Sequence, residues 1–498
     1  MSFVITLLAL GAAGLALLRV LRLGTGHRAT DLALAWLVGT GWLAAIAPVV
    51  RFVLRVPLGR ATLAGIVLAP IVLAPIVLWA ALSWKRPRRG IGDAVPESKA
   101  TGWLPRPRWV FVPVALYVAL VTLGVLLHGA NTPTQTDDAV RVRAFAPMLA
   151  FADEWTPEAR AVFSMAGPLP TFVPAVGWIA TGTLDQFHVN YAILTELVAL
   201  LVLLVGLGVA RGSPERGWAS ALGILSIPLF LYHCTSTYSD AVLAMRVAGG
   251  IAFALEYGRT RDRADLSRTL LLLGLAALVK REGELVAAAP VAVLLAQAIR
   301  ERWRGGAAIP WGATAFFAAP VALGAAGKIA AVGIAGAFPM VELVVRQAAV
   351  AVGAGDGQSA SSREAAAVFL DSGLFRSGNQ GAIFWLFAGA VVVRARAVAR
   401  GPLLVPLLAV AALLAEVAVS SIVLVPEFTI DQSTVHRALL VASVPAAIWI
   451  AAAVVDGVRA EAAAAPIDAA GRAQPKPDGR GNAARPPRRR RGRRASRP

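Results

Sequence analysis

The chain has 498 residues, of which 57% are hydrophobic and only 15% charged, with a mean hydropathy of +0.67, whereas soluble domains average about 25% charged residues. Its formal net charge is +19, but residues 471–498 hold eleven Lys or Arg against one acid, Asp478, so ten of those nineteen charges lie in a tail with almost nothing to bury. This balance excludes a water-soluble globular fold, the continuous and non-alternating apolar runs disfavour a β-barrel, and a single cysteine, Cys234, excludes an intramolecular disulfide.

The first residues, MSFVITLLALGAAGLALLRVLRLG, have no basic stretch ahead of the apolar run and no evident cleavage site, so they read as a first membrane helix rather than a removed signal peptide. Further apolar segments follow near residues 31–50, 61–83, 109–128, 189–209, 217–232, 241–256, 268–280, 284–299, 311–332, 381–393, 402–424 and 438–455. With the first, near 3–23, that makes about thirteen, most of them long enough for the roughly 20 residues a spanning helix needs. The runs at 241–256 and 268–280 are short for a full span, and tilt, local thinning or extension into residues read as loop would accommodate them. The predicted fold is an all-α, polytopic transmembrane helical bundle. Residues 1–107 read as N-terminal membrane helices and a cytoplasmic linker, 108–456 as the core, and 457–498 as a disordered basic cytoplasmic tail.

Basic connections set the orientation. WKRPRRG, RGSPERG, GRTRDRADLSR, RERWRGG, RARAVAR and the tail all fall on one side if the segments alternate, and that side is cytoplasmic. RFVLRVPLGR (51–60) disagrees, with three arginines on the outer side. The tail reads as a topology signal touching anionic membrane lipids, and nucleic acid is set aside as a partner. The protein is expected in the inner cell membrane, multi-pass, with its chemistry on the extracytoplasmic side.

On that side lies a long connection, residues 129–188, opening with Asp137 and Asp138 in NTPTQTDDAV. Val142, Phe145, Leu149 and Ala152 follow at helical spacing and predict an amphipathic interfacial helix anchored by Trp155. GPLPTFVPAVGWIATG then reads as a re-entrant or surface helix. Paired acids at a membrane lip suit proton abstraction from a hydroxyl, with the partner acid binding a metal or orienting an acceptor. They equally suit capping of the helix that follows, and the two roles are compatible.

Two more polar turns face the same way. YHCTSTYSDAVLA sets Tyr238 and Asp240 at the outer start of an apolar run, and GLAALVKREGELVA sets Lys280 and Glu282 in a tight Gly283 turn between two runs. His233, Arg281 and Glu284 read as interfacial anchors. Late in the chain, STVHRALLVASVP heads a helix with His436 and Arg437.

The ordered set of DDAV, GPLP, YSDAVLA and VKREG resembles the GT-C superfamily of integral-membrane glycosyltransferases, in particular bacterial members related to the protein mannosyltransferase and aminoarabinose transferase group. The likeness covers roughly residues 109–300, with weaker agreement at 433–445. It departs at GPLP, which has Ala166 and Gly167 where the family's YPPL-like segment has a tyrosine, and in the three apolar segments that precede the expected core. The resemblance implies a GT-C-like core at 108–456 and inverting transfer of a sugar from a polyprenyl-phosphate-linked donor to a hydroxyl of a lipid, glycan or protein acceptor. It also implies Asp137 as base, Asp138 as metal ligand or orienting partner, and Lys280, His436 and Arg437 against the leaving phosphate. Glu282 would fix Lys280 or bind sugar hydroxyls, and Tyr238 and Asp240 complete the substrate contacts. A boundary anchor remains the rival reading of His436 and Arg437. No cofactor is certain; a divalent cation (Mg or Mn) is compatible but not demanded. The alternative is a transporter or lipid flippase, which requires charges within spans or paired interrupted halves. Most charges instead fall at boundaries, and no internal repeat is visible.

Overall fold

The computed structural model describes residues 3–83, 102–105, 108–131, 163, 167–181, 186–236, 238–280, 282–303, 311–338, 357–376, 378–424, 426–430 and 435–464. In chain order the helices are α1 (Phe3–Leu21), α2 (Arg28–Pro48), α3 (Arg60–Ser83), α4 (Arg108–Asn131), α5 (Pro168–Thr181), α6 (Gln186–Ala210), α7 (Pro214–Leu225) and α8 (Pro228–Thr235). They continue as α9 (Ser239–Thr260), α10 (Arg263–Ala276), α11 (Gly283–Trp303), α12 (Trp311–Ala337), α13 (Gly357–Val368), α14 (Ile383–Arg400), α15 (Leu404–Val419), α16 (Pro426–Ile430) and α17 (Val435–Ala464). Among the described residues there is no strand. Met1–Asp456 forms one compact unit and Gly457–Pro498 a second, whose described residues are the end of α17.

Ten of these helices are long and apolar enough to cross a membrane, so the architecture is that of a multi-pass membrane protein. They are α1, α2 with the π-turn after it, α3, α4, α6, α9, α11, α12, α15 and α17. The other three predicted segments are helical but fall short for separate reasons. The helices α7 and α8 are bent by 75° where Pro228 restarts the chain, and would count as an eleventh span if taken together. At 14 residues α10 is short, and α14 carries Arg394, Arg396 and Arg400. The segment predicted at 241–256 is a full 22-residue helix, because the polar residues at both its ends belong to it.

The packing centre is α2, which lies against α1, α5, α6 and α12. Small residues let the first two helices touch backbone to backbone. A Cβ on Gly14 would stand 1.8 Å from the carbonyl oxygen of Ala35, and one on Gly39 would stand 2.1 Å from that of Leu10. The Pro-punctuated α5 is no surface helix: it packs on α2 and α6, with Leu169, Thr171, Phe172 and Val176 buried.

Polar groups concentrate at two ends of the bundle, about 30 Å apart along the 22 residues of α9. At one end α9 stops and α10 starts within three residues. Arg261 adopts the left-handed conformation that closes α9, and Asp262 caps α10 by accepting from the Ala264 amide at 2.9 Å. Arginines and acids interlock there: Arg211 with Asp265 (2.6 Å), Arg216 with Glu256 (3.0 Å), Arg259 with Asp456 (2.6 Å) and Arg261 with Glu301 (2.7 Å). Arg268 joins Asp265 to the carbonyls of Leu23 and Gly24. The opposite end holds Asp240, Lys280 and Arg437.

Most charges were expected at boundaries, but some also occur between the two ends. Arg246, about a third of the way down α9 and fully buried, pairs with Glu196 of α6 and donates to Thr40 and the Leu37 carbonyl of α2. One polar knot thus ties the N-terminal helices to the rest of the bundle. Replacing Arg246 by Met should cost roughly 3–5 kcal/mol, because Glu196 is left buried without its cation, whereas the double replacement Arg246→Met with Glu196→Leu should recover most of that loss. Denaturant unfolding of both variants in micelles checks the asymmetry, which vanishes if the pair contributes nothing beyond packing.

Candidate active site

The cluster at the second end is assembled by helix termini. Asp240 sits in the first turn of α9 and is only 3% exposed. Just before it, the chain leaving α8 doubles back: the Ser236 amide donates to the Tyr232 carbonyl (2.8 Å) and the Tyr238 amide to that of His233 (3.0 Å). This lays the Tyr238 ring on the His233 ring, with centroids 4.6 Å apart.

Lys280 stands on a tight connection between α10 and α11. Past Ala276 the amides of Leu278 and Val279 bond to carbonyls three residues back, tightening the turn, and the Gly283 amide donates to the Lys280 carbonyl at 3.0 Å before α11 begins. The ammonium is therefore projected from a short rigid step rather than from a loop free in water. Arg437 is the third residue of α17, a helix that begins at Val435.

These three elements converge on one carboxylate. Lys280 Nζ donates to Asp240 Oδ1 at 2.7 Å, and Arg437 donates through Nη2 (3.0 Å) and Nε (3.2 Å) to Oδ2. The Arg437 guanidinium lies 4.9 Å from the centroid of the Tyr238 ring, a cation–π contact that fixes its plane. His233 Nδ1 is 3.9 Å from Asp240 Oδ2. Glu282 lies 3.6 Å from Lys280. Burial of the Lys280 ammonium acts to lower its pKa, but the carboxylates of Asp240 and Glu282 outweigh it and hold the pKa above the ordinary lysine value.

A second cation–carboxylate pair borders the first. Lys328, buried on α12, donates to Glu284 of α11 at 2.7 Å. Glu416 of α15 accepts from Ser420 at 3.0 Å, acts electrostatically on Glu282, and keeps its other carboxylate oxygen buried without a hydrogen-bond partner. Gln380 donates to the His436 carbonyl at 2.7 Å and so braces the start of α17.

Of the residues singled out in the sequence, Tyr238, Asp240, Lys280 and Arg437 meet in direct contact, and Glu282 adjoins them. His436 is brought to the edge by its neighbour Arg437, its backbone engaged by Gln380. Asp137 and Asp138, with the interfacial helix predicted after them, lie outside the described residues. Glu284 is a partner of Lys328 rather than an anchor, and His233 is buried against Asp240 rather than interfacial. Glu416 was missed, although a lone Glu inside an apolar run is a signal in itself. Among the described residues no three His, Cys, Asp or Glu side chains are grouped to hold a metal.

What the cluster offers chemically is a pair of cations with three and five potential donors respectively, held side by side at a helix-end boundary by one shared counter-ion. An oxyanion with several acceptor oxygens suits such a pair, Arg through a planar fork and Lys as a point charge. No protein-family model, no curated protein and no solved structure matches the chain.

The raised Lys280 pKa has a linkage consequence. Its contribution to stability is fully present below the ordinary lysine value near 10.5 and is lost as pH rises through the higher folded value. Wild type should therefore lose stability above about pH 10.5 faster than Lys280→Met does, which differential unfolding scans across that range would measure. Asp240→Asn leaves two cations without their counter-ion and should cost roughly 3–5 kcal/mol, and adding Lys280→Met should return part of it.

Proposed function

We propose that the chain is a GT-C-like membrane glycosyltransferase. In this reading it transfers a sugar from a polyprenyl-phosphate-linked donor to a hydroxyl of a lipid, glycan or protein acceptor, with inversion at the anomeric carbon. One observation carries the reading: Lys280 and Arg437, from two of the polar turns chosen in the sequence for this chemistry, both lie on the Asp240 carboxylate of a third. Two adjacent cations at the boundary of an apolar bundle match a lipid phosphate, whose tail stays in hydrocarbon while its charge stays at the lip.

The roles follow from residue type. Lys280 and Arg437 take up the negative charge that gathers on the departing phosphate, and His436 assists. Asp240 is their counter-ion, and Tyr238 holds the guanidinium plane. Glu282 steadies Lys280 and offers a carboxylate to sugar hydroxyls. Asp137 is the base for the attacking hydroxyl, with Asp138 orienting the acceptor or binding Mg or Mn. The arginine-laden end supports a cytoplasmic assignment for itself and for the tail, and hence an extracytoplasmic assignment for the site, in the inner membrane of the cell envelope.

A transporter or flippase is the second reading, favoured by the buried Arg246–Glu196 and Lys328–Glu284 pairs inside the bundle. Arg246 is also bound to Thr40 and the Leu37 carbonyl of α2, which suits a structural tie between helices better than a transport path. Purified protein incubated with a panel of polyprenyl-phosphate sugars should consume at least one donor. Solute uptake or lipid scrambling in proteoliposomes without donor loss reverses the preference.

Asp137→Asn should lower transfer by roughly 10²–10⁴-fold with insertion and folding intact, the range expected for loss of a general base. Arg437→Ala should raise the donor concentration needed by about tenfold or more, as for loss of a charged hydrogen bond, with little change for the acceptor. Full activity in the first variant, or equal losses for both substrates in the second, would overturn those assignments.

A further inference from the structure

The Gly-Pro-Leu-Pro corner at the start of α5 has no tyrosine to offer a substrate, yet its placement gives it a different task. Gly167 is buried, has φ +76°, and presses on the step that carries Lys280. A Cβ at this position would stand 2.8 Å from both the carbonyl carbon and oxygen of Val279 and 2.9 Å from the amide nitrogen of Lys280. Those neighbours are backbone atoms, so no side-chain rotation relieves the clash. Two residues on, the Leu169 amide donates to the Leu278 carbonyl at 3.0 Å, a tie between α5 and the same step.

The corner itself is pinned. The Gly167 amide donates to the Phe163 carbonyl at 3.2 Å, and its own carbonyl accepts from Thr171 Oγ1 at 2.7 Å. Phe163, fully buried, stands edge-on to Phe172 with centroids 6.0 Å apart. A fixed backbone corner therefore abuts a short turn on which the ammonium depends for its height above the helix ends.

We infer that Gly167 is the positioning residue for Lys280: the missing side chain lets the chain entering α5 press against the Val279–Lys280 peptide and sets where the ammonium stands against Asp240. The inference deepens the proposed site and rests on Lys280 being a working cation there. Its test is independent of any sugar donor.

The full chain, methylated in detergent before transfer to phosphatidylcholine–phosphatidylglycerol nanodiscs so that no lipid or scaffold amine is labelled, suits a lysine probe because it has only five lysines. Reductive methylation with ¹³C-formaldehyde gives each a methyl resonance, and Lys280→Arg identifies the one of interest. Gly167→Ala should lower the proton affinity of Lys280 about tenfold, a shift of one pKa step, as its contact with Asp240 loosens. It should also speed amide exchange across residues 277–286, while Gly59→Ala, at a position with open space around it, leaves both unchanged. Gly167→Asn separates the two demands on the position, because asparagine tolerates the left-handed backbone but carries the same Cβ. It should behave like Gly167→Ala.

Wild-type behaviour of Gly167→Asn, or no change in either readout for Gly167→Ala, overturns the inference. Should the variants not fold, exchange in wild type decides: amides of the Lys280 step exchanging as fast as those of an exposed loop would equally overturn it. Absence of donor turnover in wild type would remove the glycosyl-transfer reading while leaving these readouts standing.

Discussion

Two cations bound to one carboxylate repel each other, and the Arg437 charge acts against protonation of Lys280. Asp240 is what makes the arrangement tolerable. Its Oδ1 takes Lys280, 40 residues away in sequence, and its Oδ2 takes Arg437, 197 residues away. For both contacts to form, the starts of α9 and α17 and the step between α10 and α11 must meet at one end of the bundle. The site geometry is thus a boundary condition on three helix pairs and not a decoration added to a finished scaffold. Burial of Asp240 sharpens the condition, since a carboxylate removed from water depends on both partners.

The scaffold meets that condition by anchoring the same helices elsewhere. Trp449 of α17 donates to the Leu403 carbonyl at the start of α15, and Asp456 of α17 pairs with Arg259 at the far end of α9. The helices α9 and α17 are therefore tied at both ends. Between those ends, Arg246 fastens α9 to α6 and α2. A helix fixed at three heights has little freedom to slide, and a side chain in its first turn inherits that rigidity. Pre-organised charges are worth most where water is scarce and nothing reorganises when a ligand arrives.

Hydropathy made the helices legible because every predicted apolar run lies on a helix, and the boundary polar turns were legible as exceptions to it. What a linear reading could not supply was partnership. Asp240 looks in sequence like a residue offered to a substrate; only the approach of Arg437, nearly 200 positions on, makes it a counter-ion. Glu196 and Arg246 each stand inside an apolar stretch and were passed over in the sequence; they lie 50 residues apart on different helices, and no local spacing rule joins them. The left-handed conformation of Gly167 was equally hidden, since glycine adopts either sign of φ and nothing local chooses between them. Both 241–256 and 268–280 read as short runs open to extension by flanking residues; the first is extended in that way, because the polar ends of a spanning helix resemble loop, whereas α10 stays short.

The charge balance at the site bears on what it can accept. Asp240 supplies one negative charge to two cations, so the trio alone carries an excess of one positive charge, and Glu282, 3.6 Å from Lys280, is placed to cancel it. A bound phosphate would therefore enter a region that is already near neutral, and would compete with two carboxylates for the same donors. That favours a ligand whose negative charge grows during reaction over one that is fully charged from the start. In the proposed reaction the cations would bind a spread-out phosphodiester loosely and a departing phosphate more tightly, and only such a difference accelerates a chemical step. A site built from cations without counter-ions would bind the product too well and release it slowly. In the proposed cycle the internal carboxylates would return to the cations as the phosphate leaves, and the ion pairs at Asp240 would be those of the site without ligand.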